Sequence, residues 1–224
     1  MIGNRRHHLR LLGGLLIPLA LGGCGGGTGG TQPTAGAPGT AATAPTPDGE
    51  MLLATPPRGW EETGAMQTPA LRMAEYGPPQ EPPGTLERLT FEAQPGKPLP
   101  DPIEFVLAVR GDLAVRCEAL EDINISSGYE NGYPTSVRLM ICPKFRDSPH
   151  GQVVMAKAIQ GNDEFYVITR RLQVPAMEGQ GQPLTAQAMA EWTAHLRAVQ
   201  VCDTRTPEHA CPETVTGAPA APDH

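Results

Sequence analysis

Apolar and polar residues alternate in several short stretches between residues 71 and 174, which is the pattern of half-buried β-strands. In the stretch 86–92, Leu89 and Phe91 are separated by a threonine and flanked by charged residues. The pair Asn131-Gly132, within a connection at 127–132, is a signal for a hairpin turn. The segments predicted as strands are 71–76, 86–92, 118–126, 134–142, 153–159 and 164–174.

Two segments have the apolar spacing of a helix instead. The first begins at Asp101, which suits the N-cap, and Pro102, which suits the first helical position. The second covers 185–199. The residues predicted to form one face are Ile103, Val106, Leu107, Arg110 and Leu113 in the first helix, and Met189, Trp192, Leu196 and Val199 in the second. Strand hairpins with two separate helices predict an α+β fold, an antiparallel sheet flanked by helices.

The N-terminus has the layout of a lipoprotein signal peptide, predicted at 1–23. Three arginines precede an apolar run at 11–21, which ends in Leu21-Gly22-Gly23-Cys24. That sequence resembles the bacterial lipobox, and the resemblance implies cleavage before Cys24 and acylation of its sulfur and amine. The run is too short for a membrane-spanning helix, which needs about 20 apolar residues. Ordinary secretory cleavage, the other alternative, would leave Cys24 as an idle thiol in an oxidising compartment.

Composition divides the rest of the chain into a linker, a domain and a tail. Residues 25–49 contain 8 Gly, 6 Thr, 5 Ala and 4 Pro, so they cannot form an apolar core. We therefore expect a lipidated, disordered tether at 24–50, a globular domain at 51–212 and a disordered tail at 213–224.

Charge restricts the possible partners. A chain that starts at Cys24 keeps 14 basic and 24 acidic residues, a formal charge of −10. Such a chain repels nucleic acid and anionic lipid headgroups, so we expect contact with the bilayer through the acyl groups on Cys24 alone. By general lipoprotein sorting, Gly25 after the lipidated cysteine favours the outer membrane, facing the periplasm, over retention at the inner membrane.

Four cysteines remain inside the predicted domain: Cys117, Cys142, Cys202 and Cys211. If Asn131-Gly132 is the centre of a hairpin, Cys117 and Cys142 return to the same level on neighbouring strands, within reach of a disulfide. Cys202 and Cys211 would then close a local loop. The alternative is a metal site made of Cys202, His209 and Cys211, although their spacing matches no standard zinc module.

The sequence contains none of the common catalytic motifs, and we assign no catalytic residue and no cofactor. A hydrolase that uses His150 or His195 with a serine or carboxylate stays open as an alternative. Candidate partner-binding residues flank the predicted hairpin turn: Tyr129, Asn131 and Tyr133.

Several short motifs, among them "PPRGW", "MAEYGPP", "ENGYPTSV" and "VCDTRTPEHACP", lie between residues 55 and 212. Together they resemble an uncharacterised family of small exported proteins of Gram-negative bacteria. The order of elements is similar to the PsbP-like fold, which also occurs in DcrB-type lipoproteins. The resemblance implies a binding or assembly factor with an envelope protein as its partner, rather than an enzyme.

Overall fold

The computed structural model describes residues 48–177 and 184–212. Cys24, the predicted signal peptide, most of the predicted linker and the predicted tail lie outside these residues. The strands and helices, in chain order, are β1 Glu50–Leu53, β2 Glu61–Thr68, β3 Leu71–Gly77, β4 Leu86–Pro95, α1 Pro102–Arg116, β5 Glu121–Glu130, β6 Tyr133–Cys142, β7 His150–Gln160, β8 Glu164–Pro175, α2 Ala186–Ala198 and β9 Gln200–Asp203, followed by a 3₁₀ turn at Pro207–His209.

Seven strands form one antiparallel sheet in the order β2-β3-β4-β8-β7-β6-β5. The short strands β1 and β9 pair with each other in a separate antiparallel ribbon. Helices α1 and α2 pack on opposite faces of the sheet, because each contributes to a different buried cluster. The predicted α+β class with an antiparallel sheet and flanking helices is therefore confirmed.

The face under α2 holds the larger core. Trp192, Leu196 and Val199, three of the four residues predicted for the face of this helix, are buried there, and Met189 packs against them. Val201 of β9 belongs to the same cluster, which places the β1–β9 ribbon on this side of the sheet.

The face under α1 holds a second core, in which Val106 and Leu113 of the helix are buried. Asp101 caps the helix as predicted, because its carboxylate accepts hydrogen bonds from the backbone N–H groups of Ile103 and Glu104 at 2.8 and 3.0 Å. The predicted apolar face is wrong in part: Ile103 and Leu107 are 44% and 43% exposed. The helix turns Phe105 and Val109 towards the sheet instead.

The predicted connection at 127–132 is much shorter in the structure. Strand β5 continues to Glu130, and only Asn131 and Gly132 separate it from β6. Their φ angles of 45° and 80° are the two positive values of a type I′ turn. Strands β1, β2 and β9 were not predicted, since β2 is polar and exposed and the other two contain only four residues each.

Two disulfides, Cys117–Cys142 and Cys202–Cys211, join the same pairs that the sequence analysis selects. The predicted placement of Cys117 on a strand paired with that of Cys142 is wrong, however, because Cys117 caps the end of α1 and does not belong to β5. The Cys117–Cys142 bond therefore fastens helix α1 to β6 rather than joining two paired strands.

The ammonium group of Lys157, on β7, is fully buried under α2. It donates hydrogen bonds to the carbonyl oxygens of Leu196 and Val199, at 2.9 and 2.7 Å, and pairs with the carboxylate of Glu130. Burial lowers the pKa of Lys157, and the contact with Glu130 opposes that effect. This single cation satisfies carbonyl groups at the end of α2, which a helix leaves without intrahelical partners.

We predict that Lys157→Met strongly destabilises the domain, by about 3–5 kcal/mol, because it leaves two buried carbonyl groups and the half-buried carboxylate of Glu130 unpaired. Urea unfolding of the oxidised protein at neutral pH measures the change. Lys97→Met, which removes an exposed lysine, is the matched control and should have little effect. A decrease in the free energy of unfolding similar to that of Lys97→Met would contradict this role for Lys157.

Candidate functional site

The three residues predicted to bind a partner do not form one surface. Tyr129 is 78% exposed on β5. Asn131, by contrast, donates a hydrogen bond from its side chain to the carbonyl oxygen of Val201 at 2.9 Å. The ring of Tyr133 is buried and stacks on His209, with the ring centroids 4.2 Å apart. Of the three, only Tyr129 presents its side chain to solvent.

The histidines considered for catalysis are each held by a local contact. Nδ1 of His150 lies 3.1 Å from the hydroxyl of Ser148, two residues earlier in the same turn. Nε2 of His195 lies 2.8 Å from the carbonyl oxygen of Thr55. In the described part of the chain neither histidine joins a serine and a carboxylate, which is the arrangement that the hydrolase alternative requires.

The residues considered for a metal site lie close together but are engaged otherwise. Cys202 and Cys211 are bonded to each other, and Nδ1 of His209 lies 2.9 Å from the carbonyl oxygen of Asn131. Within 48–177 and 184–212, no group of three or more His, Cys, Asp or Glu side chains is placed to hold a metal ion.

A groove of about 580 Å³ runs between α2 and β5, and we call it the β5 groove. Its apolar lining includes Ile123 of β5, Ile141 of β6, and Met189, Ala190 and Ala194 of α2. Ile123 is 45% exposed although it is a large apolar residue. Small alanine side chains on this side of α2 keep the helix from filling the space above Ile123.

Strand β5 also forms one edge of the sheet. Among the described strands it pairs with β6 alone, so its outer backbone groups face away from the sheet. The register places Ile123 opposite Leu139, on the α2 side, and Tyr129 opposite Pro134, on the α1 side. An exposed apolar residue therefore lies on each face of the same edge strand.

Most acidic groups along β5 are already paired. Asp122 accepts hydrogen bonds from Arg110, at 2.5 Å, and from Arg138. Burial raises the pKa of Asp122, but these two guanidinium groups outweigh it and hold the pKa below its ordinary value of 3.8. Glu130 pairs with Lys157. Glu121, which lines the β5 groove together with Arg197, is the remaining acidic residue of this strand.

A second concave region lies between β1 and the β2–β3 hairpin, and we call it the β1 cleft. At one end, the carboxylate of Glu50 accepts hydrogen bonds from the backbone N–H groups of 162–164 and from the hydroxyl of Tyr166. Burial, followed by the charge of Glu50, raises the pKa of both Tyr133 and Tyr166. The hydrogen bonds that Glu50 accepts fasten the start of β1 to the turn between β7 and β8.

Sequence reasoning identified Tyr129 but neither the β5 groove nor the β1 cleft. The alternation at 123–125 indicated a strand, but which strand lies at the sheet edge depends on pairing between distant residues. The alanines that line both regions have no sequence signature of their own.

No protein-family model matches the chain, and no curated protein has a significantly similar sequence. In the parts that the structure describes, neither helix combines the length and the apolar character required to cross a bilayer.

We predict that His195 makes the free energy of unfolding fall as the pH drops below 6.5. Burial, aided by the charge of Arg170, lowers the pKa of His195 from its ordinary value of 6.5, and the bond to Thr55 only partly opposes this. The unfolded state therefore binds a proton first, which destabilises the fold below pH 6.5 and leaves it unaffected above that pH.

His195→Gln should remove this component, while its amide can still donate to Thr55. Urea unfolding at a series of pH values below 7 gives the free energy of unfolding of both proteins. The difference between the two free energies should change by at most about 1.4 kcal/mol per pH unit, the limit for one proton. Above pH 7 this difference should stay constant, which serves as the control, and a constant difference at every pH would contradict the prediction.

Proposed function

We propose that this chain is a lipid-anchored protein of the Gram-negative cell envelope, held at the outer membrane through Cys24. Its domain is a non-catalytic module that binds a partner protein in the periplasm. The lipobox-like sequence and the glycine- and threonine-rich linker support the anchor. We further propose that the domain is PsbP-like, a likeness supported by the order of its helices and hairpins.

The observation that carries the binding proposal is the free edge of β5 beside an apolar groove. A strand from a partner that pairs with β5 would satisfy its outer backbone groups. Side chains on one face of the added strand would enter the β5 groove and cover Ile123. Side chains on the other face would contact Tyr129. Its aromatic ring offers a large contact area at a low loss of side-chain entropy.

A partner of different sequence fits this edge better than a second copy of the chain. When two β5 strands pair antiparallel over their full length, Glu121 of each copy lies opposite Glu130 of the other. Both glutamates lie on the α2 side, because their β6 neighbours are Ile141 and Tyr133. Like charges directly opposite each other destabilise strand pairing. The edge therefore favours a strand with apolar residues and no acid near Glu121.

We predict that a photo-crosslinking residue placed at Ile123 or at Tyr129 captures the same partner in intact cells. The matched control is Glu61, an exposed position on β2 at the opposite edge of the sheet and outside the lining of the β1 cleft. Mass spectrometry of the crosslinked products should identify one protein from both β5 positions and none from Glu61. Equal capture from Glu61, or no product from β5, would count against the proposed surface.

The anchor has its own test. We expect Cys24→Ser to abolish incorporation of labelled fatty acid and to release the protein from the membrane fraction, because no other lipid attachment is proposed. Gly25→Asp is the matched variant: it should keep the label and shift the protein towards the inner membrane. Unchanged membrane association of Cys24→Ser would refute the lipid anchor without bearing on the β5 surface.

A further inference from the structure

The β1 cleft is a separate concavity of about 630 Å³, and small side chains create it. Ala65 and Ala74 lie directly opposite each other on β2 and β3, and Ala93 lies on β4 opposite Arg72. Ala74 also pairs with Phe91, which places these alanines on the α2 side of the sheet, facing β1. The volume lies within the range of ligand sites in proteins.

One wall of the cleft is the open edge of a strand. Residues Glu50, Met51 and Leu52 line it, and β1 pairs only with β9 among the described strands. In an antiparallel ribbon, alternate residues direct their N–H and C=O groups to the side away from the partner strand. Part of the β1 backbone therefore faces the cleft.

This open edge favours a peptide over a hydrocarbon chain. A hydrocarbon in the cleft would exclude water from the N–H and C=O groups of β1 and leave them unpaired, which is unfavourable. An extended peptide pairs with the same groups by adding a third strand to the β1–β9 ribbon. Its alternate side chains would then fill the space above Ala65 and Ala74.

Charge at one end of the cleft fixes the direction of the peptide. Arg72 lines the cleft, has a half-exposed side chain, and forms its ion pair in the described structure with Glu164, at 2.5 Å. Glu164 adjoins Glu50, since its N–H lies 3.2 Å from that carboxylate. Arg72 therefore lies at the N-terminal end of β1, where the C-terminus of an antiparallel strand would come.

The negative groups at this end do not prevent a carboxylate from binding. Glu50 is already surrounded by three backbone N–H groups and the Tyr166 hydroxyl. Arg72 has five N–H donors, and its contact with Glu164 uses one of them. Two of the other donors of the planar guanidinium can form a bidentate pair of hydrogen bonds with a carboxylate.

We propose that the β1 cleft binds an extended peptide antiparallel to β1, with alternate apolar side chains over the alanine floor and its C-terminal carboxylate on Arg72. This site is distinct from the β5 groove, so it does not depend on the partner proposed there.

The probes are five synthetic peptides, Ac-Xaa-Thr-Xaa-Thr-Xaa, in which Xaa is Ala, Val, Leu, Met or Phe, each as the free acid and as the amide. Nuclear magnetic resonance titration of the chain from residue 24, carrying Cys24→Ser, follows the backbone amides at millimolar peptide. We expect at least one free-acid peptide to shift the amides of 50–53, and its amide form to bind about tenfold more weakly.

Three variants separate the parts of the proposal. Ala65→Phe should abolish binding, because its side chain fills the cleft. Val115→Phe, at an exposed position of α1 on the other face of the sheet, should not. Arg72→Gln should weaken the free acid about tenfold and leave the amide form within about twofold. The spectrum of each unliganded variant reports whether the fold is retained.

Several results would overturn the proposal. They are the absence of shifts at 50–53 with every peptide, shifts that Ala65→Phe leaves intact, and equal binding of acid and amide. Laurate binding that Ala65→Phe abolishes, without any peptide binding, would assign the cleft to a hydrocarbon. Shifts at 50–53 caused by deleting residues 24–47 in the absence of peptide would assign it to the chain's own linker.

Discussion

The position of α2 depends on one buried cation. Lys157 extends from β7, at the interior of the sheet, and its ammonium group binds carbonyl oxygens of Leu196 and Val199 together with the carboxylate of Glu130. A buried charge is tolerable only when partners surround it in this way. The contact therefore fixes three things relative to one another: the end of α2, the central sheet and the tip of the β5–β6 hairpin.

Both candidate surfaces follow from that arrangement. The side of α2 next to its core face, which carries Met189, Ala190 and Ala194, forms one wall of the β5 groove, so a shift of the helix would change the groove directly. Strand β9 begins at Gln200, immediately after the helix, and its pairing with β1 places the wall of the β1 cleft. The loop closed by Cys202–Cys211 then brings His209 onto Tyr133, which fastens the same end of the hairpin. A displacement of the backbone near Lys157 would therefore change the shape of both the β5 groove and the β1 cleft.

The sequence predicts the regular part of this fold well, because the sheet and α2 repeat their apolar spacing over enough residues to be recognised. All six predicted strands exist, and three of the four residues predicted for the face of α2 are buried. Other features leave no periodic trace. Lys157 has the sequence context of an ordinary strand residue, and only its contacts with α2, about 40 positions away, reveal its role. Strand β2 was missed because its exposed position requires little apolar character. The position of Asn131 between two tyrosines predicts a binding residue, and the structure adds a local role, because its positive φ and its bond to Val201 suit it to the turn.

The two edges of the sheet differ in a way that supports β5, rather than β2, as the proposed docking strand. Strand β2 begins with two exposed glutamates and has a register shift between Glu62 and Gly64, which are features that protect an edge from pairing. Strand β5 has a register shift too, between Asn124 and Ser126, but its regular segment before that point lies beside the groove. Because a bulge bends the strand and interrupts the ladder, an added strand can pair regularly with 121–124 beside the groove and must bend to follow 126–130, where Tyr129 lies. Each regular contact is short, so the apolar side chains in the groove must supply much of the affinity.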